Sequence, residues 1–278
     1  MALLKYSRFG TNRHAIRSNT ASPLTDEQLR LAIPSLFAAE KHESRSERFT
    51  YVPTIDVLTK LRAEGFEPFS ACQTRSRDDG QLAFTKHMLR LRRVDFSQSR
   101  DEVPEVIVLN SHNGSSSYQM MAGIFRFVCA NGLISADEST QEIRVRHKGD
   151  IVGEVIEGAY RVVQDFETVQ VSIEKMKAVK LLPEELHMFA SSALALRWPN
   201  GAAPIDTVRV SQARRPSDTG MDLWTTFNRV QENLLRGGQV GARVNGRSAR
   251  TRAVSGIGQN VALNRGLWML AAKRAGII

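Results

Sequence analysis

The spacing of apolar positions along the chain changes between helical and strand-like periods, and those changes divide it. From Thr25 to Gly65 the spacing is helical. A first helix is expected at Thr25, where Thr25 and Gln28 match a capping box ahead of Leu29, Leu31 and Ala32. Pro34 interrupts it, and Ser35 to Ala39 resume it. The charged stretch from Glu40 to Arg48 reads as exposed, and Phe49 to Val52 as a short strand. A second helix is expected from Ile55 to Glu64, capped by Thr54 and stopped by Gly65. Its Ile55, Leu58, Leu61 and Ala63 turn inward, leaving Lys60 and Arg62 outside.

After Gly65 the period becomes two. Phe69 to Arg77 and Leu82 to Val94 read as strands joined through the turn Asp78-Asp79-Gly80, and Val106 to Ser111 as a third. Asn113-Gly114 turns the chain toward Tyr118 and Met120. Ile124 to Ala130 is strand or buried helix, Asn131-Gly132 another turn, and Ile143 to Lys148 a further strand. Asp150 opens the longest helix, in which Val152, Val155, Ile156, Ala159, Val162, Val163, Phe166, Val169 and Ile173 recur at steps of three and four. Unbroken to Lys177 it spans roughly 40 Å at 1.5 Å per residue. Further helices are expected over Pro183 to Leu196, Asp218 to Leu235 and Ile257 to Arg274, with a Gly- and Arg-rich loop at Gln239 to Arg252. The order predicts an α+β fold: an antiparallel sheet of about 4–6 strands backed by a long helix, followed by a helical C-terminal part. Two domains are expected, 1–180 and 181–278.

Composition changes this picture mainly through charge. The 278 residues carry 38 Lys plus Arg against 29 Asp plus Glu, a net +9, which favours a polyanionic partner. The excess is uneven. Residues 1–100 hold 17 basic and 11 acidic side chains, residues 101–200 hold 9 and 14, and residues 201–278 hold 12 and 4. Eleven of those last twelve are Arg, whose planar fork suits phosphate and stacks on bases; a GC-rich genome also raises arginine. No apolar run approaches the roughly 20 residues of a membrane span, and Met1 to Arg8 contains no secretory apolar stretch. With only Cys72 and Cys129 there is no disulfide scaffold. A soluble, reduced, cytoplasmic protein is expected.

Side chains two apart share a strand face. Gln73, Arg75 and Arg77 form one such set; Lys86, Arg90 and Arg92 another, with Leu89 and Leu91 opposite. Arg144, Arg146 and Lys148 form a third, alternating with Ile143, Val145 and His147. None of these stretches contains an acid, so they read either as a basic groove or as a plain solvent face neutralised from elsewhere. Phe125-Arg126-Phe127 adds aromatics that could stack on bases or simply belong to the core. In the loop, Arg243, Arg247, Arg250 and Arg252 lie among glycines without an acid; the stretch fits a phosphate-gripping segment or a surface linker, and it lacks the Lys-Ser/Thr ending of a nucleotide-binding loop. His87, His112 and His147 could meet across adjacent strands as metal ligands, but single strand histidines are usually structural. Asn110-Ser111-His112-Asn113-Gly114-Ser115-Ser116-Ser117 reads as a turn with capping hydroxyls rather than a nucleophile elbow. No catalytic residue, metal ligand or cofactor is assigned.

Several motifs together resemble a known family. They are Ser46-Glu47-Arg48-Phe49-Thr50-Tyr51-Val52-Pro53-Thr54, Gly65-Phe66-x-Pro68, Lys86-His87-Met88-Leu89-Arg90, Val106-x-Val108-Leu109-Asn110-Ser111-His112-Asn113-Gly114-Ser115-Ser116, Phe125-Arg126-Phe127-Val128-Cys129-Ala130-Asn131-Gly132 and Leu263-Asn264-Arg265-Gly266-Leu267-Trp268. The chain resembles, over nearly its whole length, the domain-of-unknown-function 932 family of prophage and plasmid proteins. Family members often have Asp-Gly where this chain has Asn113-Gly114, which argues against an essential carboxylate there. The resemblance implies a mobile-element setting and transfers no catalytic residues.

The expected function is therefore non-enzymatic binding of nucleic acid, single-stranded DNA by preference, as a recombination or annealing accessory. Arg75, Arg77, Lys86, Arg90, Arg92, Arg126, Arg144 and Arg146 would hold phosphates, with Arg243, Arg247, Arg250 and Arg252 closing over the strand. No membrane association is expected, and analogy with annealing proteins extends to a homo-oligomer. One rival reading is an interaction factor with a host protein partner in defence or replication. A second is a metal-dependent hydrolase or nuclease using His87 and His112.

Overall fold

The computed structural model describes residues 14–18, 22–44, 51–93, 102–126, 131–135, 143–145, 149–201, 203–242 and 246–278. Of the sequence expectations, Phe49, Phe127, Cys129, Arg146, His147, Lys148 and Arg243 lie outside the described residues. The chain forms two compact units, Met1–Leu133 with Thr140–Phe166, and Ile134–Ser139 with Glu167–Ile278. The division falls inside the long helix, between Phe166 and Glu167. No described helix is long and apolar enough to cross a membrane.

The architecture is α+β. The first unit begins with strand β1 (Ala15–Arg17), helix α1 (Asp26–Ala32), a 3-10 turn over Pro34–Phe37 and helix α2 (Thr54–Ala63). The capping box forms as expected: Thr25 accepts from the Gln28 backbone and Gln28 returns the bond. Strands β2 (Phe66–Gln73), β3 (His87–Arg93), β4 (Glu102–Asn110), β5 (Tyr118–Arg126) and β6 (Asn131–Ile134) follow β1 side by side, and β7 (Ile143–Val145) pairs with the start of β5. The pairs β1–β2, β2–β3, β3–β4, β4–β5 and β5–β7 are all antiparallel. Two expectations change here. Asp78-Asp79-Gly80 is not a hairpin turn but the start of a one-turn helix, α3 (Asp79–Leu82), in a longer β2–β3 connection, because Asp78 caps the Gly80 amide. Asn131-Gly132 opens a strand instead of a turn.

Registry decides which side chains meet. Ser70, Arg90, Ile107 and Met121 align across β2 to β5, as do Glu105 and Gly123, all on one face. Arg17 of β1 lies 5.2 Å from the Phe125 ring of β5 across that face. In a flat sheet those strands would be about 19 Å apart at the usual spacing, so the sheet curls and this is its concave side. The opposite face, with Leu89, Leu91, Val106, Val108 and Met120, is covered by α2 and by the first half of α4 (Ile151–Ala178). There Gly158 leaves room for Met120 and Ile143, and Tyr160 meets Phe66 edge-on.

The second unit contains the end of α4, α5 (Pro183–Arg197), α6 (Thr207–Val210), α7 (Leu223–Arg236), the hairpin β8 (Val240–Ala242) and β9 (Ser248–Arg250), and α8 (Ile257–Arg274). Helix α7 starts later than expected, because Asp222 supplies the cap to Thr225. It is buried nearly all round. Trp224 stacks on Phe227 and Trp268 meets both edge-on, while its polar residues find partners: Gln231 with Asn264, Asn233 with Arg214, and Glu232 with Arg215 and Arg236.

Candidate functional site

On the concave face of the sheet, Arg90 and Arg92 do not line the open basic groove expected of them. Both faces of β3 are covered, so Arg90 and Arg92 are each only 2% exposed. Glu105, fully buried, takes Arg90 Nε at 2.5 Å on one oxygen and Arg92 Nε at 2.8 Å on the other. Arg90 also donates to the Leu133 carbonyl at 2.9 Å. The Arg92 guanidinium lies between the rings of Phe125, at 3.9 Å, and Phe69, at 4.6 Å. These two arginines, placed in the candidate site from the sequence, are thus part of a buried ion cluster and are withdrawn from any solvent-facing role. The cause is the curl, which turns their face inward. Burial pushes the Glu105 carboxyl up, but the two guanidiniums outweigh it and hold it below its ordinary range. Arg126, half-buried, faces Glu102 at 3.4 Å, and Gln73 is buried against Ser35.

Glycine is what lets Arg90 sit there. A Cβ on Gly132 would fall 2.2 Å from Arg90 Cζ, and one on Gly123 3.1 Å from its Nη2. Since Arg90 is locked by Glu105, it cannot swing aside. Gly132→Ala should therefore destabilise the protein by about 1–3 kcal/mol, the usual range for overpacking, measured by urea denaturation; an unchanged midpoint would mean the cluster is looser than its geometry.

His87 and His112 do come together, with ring centroids 5.1 Å apart, around a residue the sequence had marked only as a helix cap. Thr54 is the first helical residue of α2, behind Pro53, and its hydroxyl points inward. It contacts His87 Nε2 at 2.9 Å, Asn110 Nδ2 at 3.1 Å, the Tyr118 hydroxyl at 3.2 Å and His112 Nε2 at 3.3 Å. The Thr85 carbonyl at 3.1 Å from His87 Nδ1 can only accept, so Nδ1 carries the proton and Nε2 accepts from Thr54. Burial, and then neighbouring His112, push the His87 pKa down to about 3. This hub is sealed from solvent, and its chemistry is that of a lock between α2 and the sheet. Among the described residues, no group of three or more His, Cys, Asp and Glu is placed to hold a metal. The Ser111 hydroxyl closes its turn by accepting from the Ser116 amide at 2.7 Å. Half-buried Cys72 has its thiol pushed up to about 12 by burial.

What stays accessible among the predicted residues falls into two sets. Arg75, Arg77 and Arg144 are exposed and Lys86 half-exposed; registry puts them at one end of the sheet, where the β2–β3 connection, the β4–β5 turn and β7 lie. Arg247, Arg250 and Arg252 are exposed on and beside the β8–β9 hairpin. The loop expected here is an ordered ribbon, pairing Val240 with Arg250 and Ala242 with Ser248. It is pinned at its base by Gly238 to Thr251 (2.7 Å), Thr251 to Gln239 (2.9 Å) and Ala242 to Pro204 (2.9 Å). A Cβ on Gly241 would fall 1.6 Å from the Pro204 carbonyl oxygen, so Gly241 and its pair Ala249 form the inner face. Alternation then turns Arg250 and Arg252 outward. From Asn233 to the end of the chain there are eight cations and no acid.

Comparison with known proteins gives a family and relatives whose names state no activity. The family described as "Domain of unknown function (DUF932)" matches residues 41–268. The chain is similar to "UPF0380 protein YafZ" and "UPF0380 protein YfjQ" of Escherichia coli (strain K12), each 49% identical over 265 residues that cover 95% of both chains. No solved structure matches.

Proposed function

For a chain that belongs to the DUF932 family, whose name supplies no chemistry, we propose a reading from the accessible surface: it binds nucleic acid through the arginine ribbon β8–β9, single-stranded DNA by preference, as a recombination or annealing accessory of mobile elements. The observation that carries this is the outward row Arg250 and Arg252, with Arg247 beside it, on a ribbon held rigid at its base in a stretch without carboxylates. A backbone already paired at its base spares the entropy of ordering a loop on phosphates, and the guanidiniums also stack on unpaired bases. Arg75, Arg77, Lys86 and Arg144 are the supporting contacts in the first unit. Arg90 and Arg92 have no part in it.

The test is fluorescence anisotropy of the full chain with a labelled single strand and the matching duplex, across a salt series. Replacing Arg247, Arg250 and Arg252 by Ala should raise the apparent Kd at least about tenfold and flatten the log–log salt slope by about 0.7 per lost phosphate contact. Because these side chains are exposed, thermal unfolding should not change. Affinity that ignores salt, or a triple variant that binds like the parent, overturns the reading; tighter duplex binding overturns the strand preference.

A further inference from the structure

In the second unit the seam between α5 and α8 is open on one side. Leu196 packs on Gly266 and Glu185 is ion-paired with Arg274, so the helices run antiparallel, with the start of α5 beside the end of α8. Between them is a cavity of about 530 Å³ lined by Met188, Phe189, Ser192, Leu270 and Lys273 among others. Met188 in its lining is 68% exposed, and along the same two helices Leu196 is 42% exposed and Met269 38%. Large exposed side chains bordering a groove mark an interaction surface. Charge then narrows the partner. One turn before Met188 on α5 is exposed Glu184; one turn after Met269 on α8 is exposed Lys273. The rim, with Glu184, Glu185, Lys273 and Arg274, is locally neutral in a chain whose net +9 otherwise drives copies apart.

We infer that two copies of this chain associate face to face over this groove. A two-fold axis along the seam lays α5 of one copy on α8 of the other, setting Glu184 against the second copy's Lys273 and Met188 against its Met269. Such a contact must be self-complementary, each copy supplying what the other needs, and this rim holds acid–Met on one helix and Met–base on the other. Flexible methionines fill the shared cavity without demanding exact shape. A partner of one charge sign would leave half of the rim opposed to like charge.

Sedimentation equilibrium of the full chain, free of nucleic acid, tests this across the micromolar range. The expected mass is twice the 31.0 kDa of one chain. Met188→Asp should leave a monomer with an unchanged far-ultraviolet circular dichroism spectrum, because the side chain is exposed. Lys273→Glu alone and Glu184→Lys alone should each weaken the dimer by about tenfold or more. An equimolar mixture of the two should restore it, since every swapped charge then meets its opposite at both ends. A parent chain that stays monomeric, or a dimer indifferent to Met188→Asp, overturns the inference; a mixture that does not recover overturns the two-fold arrangement. These readouts do not depend on nucleic-acid binding.

Discussion

Replacing Glu105 by Gln should cost about 3–5 kcal/mol, the range for stripping one partner from a buried ion cluster. That is a large part of the 5–15 kcal/mol typical of a folded domain. The neutral amide leaves the Arg90 and Arg92 charges 2% exposed and without their carboxylate. Urea denaturation followed by circular dichroism reads the loss. A variant within 1 kcal/mol of the parent, by the ordinary scale of surface substitutions, would mean that the cluster contributes little. The carboxyl also sets a pH limit. Its folded pKa is held below the ordinary 4.5, so its stabilisation is complete above that value and is lost as the pH falls through the folded pKa.

Acid should weaken the fold before Glu105 begins to titrate, through His87. With a folded pKa of about 3 against an ordinary 6.5, the unfolded chain binds the proton that the folded chain refuses. Stability therefore falls as the pH drops from 6.5 toward 3, at about 1.4 kcal/mol per pH unit, and loses roughly 3 kcal/mol by pH 4.5. The structural reason is the Thr54 hub, where a second proton on the imidazole would confront the hydroxyl hydrogen already pointing at Nε2. Stability measured by urea at successive pH values should show this slope in the parent and lose it in His87→Gln. An equal slope in both would place the titration elsewhere.

Both effects come from residues whose types were visible and whose neighbours were not. Glu105 is the single acid in Val103-Pro104-Glu105-Val106-Ile107-Val108-Leu109. A carboxylate in so apolar a strand has to be buried and has to be paired with cations; that was a usable signal. Arg90 and Arg92 have no acid on their own strand, and their counter-charge sits on the strand next door. Thr54 gave a weaker signal, since a hydroxyl at a helix start ordinarily caps, and only the position of α2 over His87, Asn110 and Tyr118 turns it inward. Likewise the stripe Leu223, Phe227, Val230 and Leu234 reads as a one-sided helix, yet α7 is surrounded because Arg214 and Arg215 from the preceding loop bond its polar side.

Local patterns were enough for what is local: the capping box at Thr25, the long helix after Asp150, the strand periods, the α+β order, and the acid-free arginines that now lie on the β8–β9 ribbon. Each depends on residues a few positions apart, whose spacing alone determines the backbone preference. Tertiary structure alone decided which side of the sheet is inside. Alternation says that Arg90 and Arg92 share a face but cannot say whether that face is open, because the answer depends on how far five strands curl, and curling is a property of the whole sheet.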